Sequence, residues 1–349
     1  MNGRPLMNPA TAVSMLAEAG TGRVGPKAAG RLAEVVGVFG DDLAWVEREL
    51  ATHAATGAEP ATNAATHLLA SGGKRIRPLT VLLACAAFGE VRSAARDLAV
   101  VAELIHLATL LHDDVLDDGS ERRGQPTARR LWGNAVSILA GDLLLTHALE
   151  RTSGLGLPTV LSDLFATLRR LVDGEVIQLR NRTRIDPSEE TYFHVVENKT
   201  ASLFGWSARA GARAAGAPED AVLALGEFGE RIGVAFQLVD DALDYEGSAD
   251  KTPLLDLREG KLTLPLLRTL AARPELLREV EVVRSGADDG GDAAAKLVHA
   301  VKASNACQET RRLADHETAR ALSALERVPS SPARDLLFAV ARELTGRAS

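Results

Sequence analysis

Apolar positions in this chain are scattered through long segments rich in Ala, Leu, Arg and Glu, and Val and Ile do not alternate with polar neighbours. No convincing period-2 run flanked by hairpin signals is present, so the pattern predicts an all-α protein. Helices are expected over 41–56, 61–71, 79–88, 93–117, 137–152, 158–181, 188–215, 220–245, 262–272, 293–325 and 331–344. Punctuation is dense at SGGKRIRP, DGSERRGQPT, RIDPSEE, EGSADKTP and SGADDGGDAAA, where the helices should break. None of these breaks is long enough to be a linker, which predicts one helical domain over 36–349. Residues 1–35 form an Ala/Gly-rich N-terminal extension with little periodicity, expected to be loose or to lie across a neighbour.

Composition narrows the function classes. An apolar share of 46% in 349 residues supplies a sizeable core. A net charge of -7 argues against a nucleic-acid surface, which needs a basic footprint for phosphates. Cys85 and Cys307 lie far apart, outside any CxxC or Cys/His cluster, and are expected to be reduced thiols of a cytoplasmic protein. The start has neither a basic n-region nor a continuous apolar stretch, and no uncharged run reaches the ~18 residues of a membrane span. Peripheral membrane contact stays open.

The chemistry begins at LLHDDVLDDGSERRGQPT. Asp113, Asp114, Asp117 and Asp118, with Glu121, repel one another unless a cation sits among them. FQLVDDALDYEG repeats the DDxxD spacing in Asp240, Asp241 and Asp244. Positions i and i+4 share a helix face, so each motif projects paired carboxylates from one turn. Both turns close long apolar segments, where the helix dipole disfavours acids, so capping does not account for them. Hard Mg²⁺ prefers carboxylate oxygens together with waters and substrate phosphates. A single DDxxD is ordinarily a solvated acidic turn; two copies accompanied by cations are a different matter.

Those cations are Arg122 and Arg123 just after the first turn, Lys74, Arg75 and Arg77 in GGKRIRP, Lys199 beside Thr200 in ENKTASLF, and Lys261 in LREGKLTLP. Guanidinium groups suit bidentate contact with phosphate oxygens. Taken alone, each of the lysines reads as a snorkelling or surface side chain.

In order and spacing, GGKRIRP, ELIHLATLLHDDVLDDGSERRGQPT, WGNAVSILAGDLLL, GEVIQL, the KT at Lys199, FQLVDDALDY and EGKLTLP resemble the trans-isoprenyl diphosphate synthases, or polyprenyl synthetases, over about 61–267. The resemblance implies an isoprenoid-synthase helical bundle around a deep central cavity, with the acidic turns facing each other near its mouth. It implies Mg²⁺-dependent head-to-tail joining of isopentenyl diphosphate to an allylic diphosphate, in a homodimer. By the same resemblance Asp113, Asp117 and Asp240 are the principal metal ligands, supported by Asp114, Asp241 and Asp244. Lys74, Arg77, His106 and Arg123 match positions that bind isopentenyl diphosphate. Arg122, Lys199, Thr200, Gln237, Lys251 and Lys261 match positions that grip the allylic diphosphate. A lone His on an apolar helix is usually structural, but His106 lies seven positions before Asp113 and so on nearly the same face.

Family members stop chain growth with bulk before the first acidic turn, short-chain ones with aromatics four and five positions before it. Ala108 and Thr109 occupy those positions here, with Leu104 and Ile105 about 5.4 Å deeper. The small pair implies long polyprenyl products, unless another helix supplies the floor. The stretch after the second motif is shorter than the family's, with Asp250 and Leu254 where glycines are common. Three other readings remain at this point: a short-chain farnesyl or geranylgeranyl diphosphate synthase, a class I terpene cyclase, and a non-catalytic regulatory subunit. FQLVDDALD and GGKRIRP speak against the cyclase, and two intact acidic motifs against the subunit.

Overall fold

A computed structural model describes residues 26–183, 185–246, 254–288 and 291–346, with backbone alone for 26–36, 183, 246 and 255. Among them the helices are α1 (Pro26–Ala55), α2 (Ala61–Ala70), α3 (Ile76–Ala86), α4 (Ser93–Leu116), α5 (Ala128–Trp132), α6 (Asn134–Gly154), α7 (Pro158–Thr183) and α8 (Glu189–Val195). A π-helical turn (Val196–Ala201) leads into α9 (Ser202–Ala215). Then follow α10 (Glu219–Glu246), α11 (Leu255–Arg258), α12 (Leu264–Ala272), α13 (Leu277–Arg284), α14 (Asp292–Ala303), α15 (Ala306–Leu325) and α16 (Pro332–Thr345). The strands are β1 (Glu121–Arg122) and β2 (Gln125–Pro126), an antiparallel hairpin pairing Glu121 with Pro126 and Arg122 with Gln125. The all-α expectation holds around this one hairpin.

The chain divides into two compact units. The first takes residues up to Phe165, Phe204–Gly229 and the chain from Leu322; the second takes Ala166–Leu203 and Glu230–Ala321. In the first, α4 is the central rod. Leu98 to Ala102, Leu104, Ile105 and Leu111 are fully buried, so the helix is apolar around most of its circumference, as an interior helix must be. Burying each of its large aliphatic side chains stabilises the unit by about 1.5–3 kcal/mol. Against α4, α6 packs closely: Ser137 Oγ donates to Leu111 O at 2.8 Å across the contact. Helix α9 approaches α3 so closely at Gly211 that a Cβ there would lie 2.2 Å from Val81 O.

In the second unit, Val234, Ala235, Leu238, Val239, Ala242 and Tyr245 form the buried stripe of α10. They pack with Tyr192, Val196, Leu264 and Leu267 and with the α11 to α14 residues Leu257, Leu266, Val280 and Leu297. Both cysteines are buried, and neither forms a disulfide.

Several boundaries differ from the sequence pattern. Helix α1 begins at Pro26, inside the stretch read as an extension; residues 1–25 lie outside those described. The expected 188–215 helix is interrupted by the π turn. The expected 293–325 helix is two, broken at Asn305, whose φ of 59° is one that asparagine tolerates. Helix α13 was not expected; its ridge of Val280 and Val283 buries against the core. No helix among the described residues is long and apolar enough to cross a membrane.

Candidate active site

The first acidic turn is shaped by how α4 ends. Asp117 caps the helix, its N–H donating to Asp113 O at 2.7 Å, and Asp118 turns left-handed with φ 54°. The reversal brings the Gly119 N–H to Asp114 O at 2.9 Å, closing the last turn as helix C-termini commonly do. The two residues between β1 and β2, Arg123 and Gly124, have φ of 53° and 71°, the left-handed pair of a two-residue hairpin turn. The hairpin sets Arg122 over Asp114, whose Oδ1 accepts from Nε at 3.0 Å and from Nη2 at 2.8 Å. Asp114 is 3% exposed, and its Oδ2 is buried without a hydrogen-bond donor. Burial raises its pKa, Arg122 opposes the rise, and Asp113 and Asp117 add to it. Asp113 is half-buried and Asp117 lies at the buried margin.

Beside this turn stands a cationic nest. Arg75 opens α3 in a left-handed conformation with φ 49°. Its guanidinium is buried between Glu47, which bonds to Nε and to Nη2, and Glu103 at 2.9 Å. Burial alone would lower the Arg75 pKa; Glu103 and Glu47 outweigh it and hold the group charged. Arg77 sits 4.6 Å above the Phe204 ring, with a buried Nε that has no acceptor. Burial pushes its pKa down to about 10, against the pull of Glu103. His106 is half-buried on α4, and burial together with Arg77, Arg123, Arg122 and Arg75 drives its pKa well below 6.5. The ring is therefore neutral, able to donate one N–H within a field that attracts anions. Lys74 is half-buried next to Arg75. Of the predicted chain-length residues, Leu104, Ile105 and Ala108 are buried, and Thr109 donates its hydroxyl to His106 O at 2.8 Å.

The second unit repeats the plan with different parts. Asp240 and Asp244 are half-buried on α10, while Asp241 is 2% exposed. Asp241 Oδ1 accepts from Gln237 Nε2 at 2.9 Å; Oδ2 accepts from Tyr192 Oη at 2.7 Å and Leu264 N at 3.3 Å. Burial raises the Asp241 pKa to about 7, with Asp256 adding to the rise and these donors opposing it. Thr200 donates to Gln237 Oε1 at 3.3 Å.

Lys199 and Thr200 lie in the π turn, a distortion that leaves backbone groups without their usual helical partners and recurs at functional sites. Arg170 takes up the slack: it donates to Glu197 O at 3.0 Å, Asn198 Oδ1 at 3.0 Å and Glu230 Oε1 at 2.7 Å. Lys199 pairs with Glu175, and Lys261 with Glu259 at 2.7 Å. So Arg122, Lys199 and Lys261 are each oriented by a neighbouring carboxylate, Arg122 by Asp114. Lys251 lies outside the described residues.

Gly174 permits this packing, because a Cβ there would lie 2.8 Å from Lys199 N. Gly174→Ala is expected to displace the π turn and to lower stability by about 1–3 kcal/mol, read from denaturant unfolding.

Glu103, Glu175 and Tyr192 were not singled out from the sequence. An acid inside the apolar run before His106 marks Glu103, since a buried carboxylate needs a partner. Tyr192 is one of only two tyrosines in the chain.

Each acidic turn offers carboxylate oxygens, the donor type of a hard divalent cation, and the orphaned Asp114 Oδ2 fits such a neighbour. Among the described residues no three His, Cys, Asp or Glu side chains gather tightly enough to enclose a metal unaided.

The Polyprenyl synthetase family profile matches residues 59–300. The chain belongs to that family. It is a trans-prenyltransferase of isoprenoid biosynthesis, with the isoprenoid-synthase helical fold. Heptaprenyl diphosphate synthase component 2 of Geobacillus stearothermophilus is 38% identical over 311 residues, 88% of this chain and 96% of that protein. Octaprenyl diphosphate synthase of Escherichia coli (strain K12) is 38% identical over 282 residues, 79% and 86% of the two chains. A polyprenyl synthase from Caulobacter crescentus CB15, solved with calcium and isoprenyl diphosphate, superposes with a TM-score of 0.83 at 35% identity, covering 90% of this polyprenyl synthetase and 97% of that chain. The Geobacillus and Escherichia relatives are long-chain synthases, and they do not favour the short-chain, cyclase or non-catalytic readings.

Proposed function

We propose that this polyprenyl synthetase condenses isopentenyl diphosphate with an allylic diphosphate, such as farnesyl or geranylgeranyl diphosphate, to make a long all-trans polyprenyl diphosphate. The observation that carries the reading is the nest around His106: four arginines crowd one neutral imidazole beside a turn of carboxylates. A diphosphate with its divalent cations matches both halves of that arrangement.

In this reading Lys74, Arg77, His106 and Arg123 hold isopentenyl diphosphate, and Arg122, Lys199, Thr200, Gln237 and Lys261 hold the allylic diphosphate. Asp113, Asp117 and Asp240 would hold Mg²⁺, with Asp114, Asp241 and Asp244 in support. Bound there, Mg²⁺ supplies positive charge to the departing diphosphate. Arg122, Lys199 and Lys261 add to it, poised by their carboxylate partners so that little reorientation is needed. The allylic C–O bond breaks, the isopentenyl double bond attacks the resulting cation, and loss of a proton to the released diphosphate restores the alkene. No protein nucleophile takes part.

Calcium in the Caulobacter relative supports a divalent cation, and carboxylate ligation supports Mg²⁺. A homodimer is proposed as well. Val172, Val176 and Leu179, spaced four and three apart on α7, are exposed apolar residues along one face of that helix. The Geobacillus relative is one component of a synthase, so light scattering of the purified chain should distinguish a self-dimer from a subunit that needs a different partner. We place the protein in the cytoplasm, with residues 36–349 acting as one prenyltransferase domain.

Purified protein with Mg²⁺, labelled isopentenyl diphosphate and farnesyl diphosphate is expected to yield elongated products, resolved by chromatography after dephosphorylation. Cyclised hydrocarbon, or no product, would overturn the reading. Ala108→Phe puts an aromatic where short-chain synthases carry one and is expected to shorten the main product; an unchanged distribution places the floor elsewhere.

A further inference from the structure

The geometry points to Tyr192 as a positioning residue that fixes the direction of the second acidic turn and ties it to the π turn. The inference rests on the prenyl-transfer reading above and adds a residue to it.

Asp241 lies inside the protein with three donors from three places: the Tyr192 hydroxyl on α8, Gln237 one turn earlier on α10, and the first backbone N–H of α12. Buried carboxylates need this kind of saturation, and once saturated they are rigid. Asp240 and Asp244 share a helical turn with Asp241, so pinning Asp241 sets the direction in which both of them project. Gln237 uses its amide nitrogen on Asp241 and its oxygen on Thr200. Tyr192 and Thr200 belong to one short run of chain, α8 and its π continuation. The bonds Tyr192–Asp241–Gln237–Thr200 therefore close a ring, which locks the segment bearing Lys199 to the turn bearing Asp240 and Asp244.

A phenylalanine would fill the Tyr192 space, pack on Phe193 as Tyr192 does at 5.1 Å, and lack only the bond. Asp241 Oδ2 would then keep only the longer contact from Leu264 N. Outer partners of metal-holding carboxylates typically cost 10–100-fold in affinity or activity when removed.

The test is Tyr192→Phe in the full chain. Calorimetric titration of Mn²⁺ into protein with inorganic pyrophosphate is expected to give a Kd raised at least about tenfold, and kcat should fall by a similar factor. The KM for isopentenyl diphosphate should stay within about twofold, since the lost interaction serves the departing diphosphate. A lower melting temperature with unchanged Mn²⁺ affinity would mark Tyr192 as packing only and overturn the inference. Should that variant fail to fold, Gln237→Met cuts the ring at its next link and is expected to raise the Mn²⁺ Kd likewise; an unmoved Kd there overturns it too. Wild-type protein that neither binds Mn²⁺ with pyrophosphate nor elongates would sink the prenyl-transfer reading, and the positioning role with it.

Discussion

Asp113→Ala and Asp240→Ala are each expected to cut turnover about a thousandfold, the scale on which a single preorganised group that stabilises transition-state charge is felt. Neither side chain belongs to the buried stripe of its helix; both are half-buried and lie next to an inward-facing aspartate that is already bonded, Asp114 to Arg122 and Asp241 to Tyr192 and Gln237. Removing the half-buried carboxylate therefore takes away a proposed ligand of the cation without opening the core. Far-UV circular dichroism and melting should match the wild type, and isopentenyl incorporation at saturating substrate should collapse. Near-normal incorporation by both variants would refute the placing of the cation on these turns.

Arg75→Met is expected to cost about 3–5 kcal/mol of stability, because breaking a buried ion pair from one side strands the other charge. Glu103, 3% exposed, has Arg75 Nη1 at 2.9 Å as its bonded cation, and methionine offers no charge to replace it. The left-handed φ of Arg75 also starts α3 at the angle that carries Arg77 past Phe204, so a shift there disturbs the nest as well. Urea unfolding measures the loss. Glu103→Gln in the same background should recover part of it, since it neutralises the stranded group.

Much of this was legible in the sequence. Both DDxxD turns and the cations around them were visible because chemistry that needs charge at fixed spacing writes it in consecutive letters. Helix α4 was placed to within a residue because its apolar run is long and ends on polar punctuation. Other features were not legible. The hairpin turn at Arg123 and Gly124 lacks the usual Asn-Gly or Asp-Gly pair, so nothing local announced two left-handed residues. The break at Asn305 hides inside a good helical pattern, where asparagine is unremarkable until its backbone is seen. Glu47 and Glu175 are ordinary helix-surface acids by sequence; only tertiary packing sets them on Arg75 and Lys199.

The π segment between Val196 and Ala201 makes the synthetase sensitive to length at one point of the chain. Such a bulge accommodates one surplus residue, and excising one from it would let the backbone relax to a regular coil of about 3.6 residues per turn. Everything downstream would then be indexed differently, with the lysine rotated by about 100° away from Glu175. A single deleted codon there is expected to silence transfer while the chain still folds.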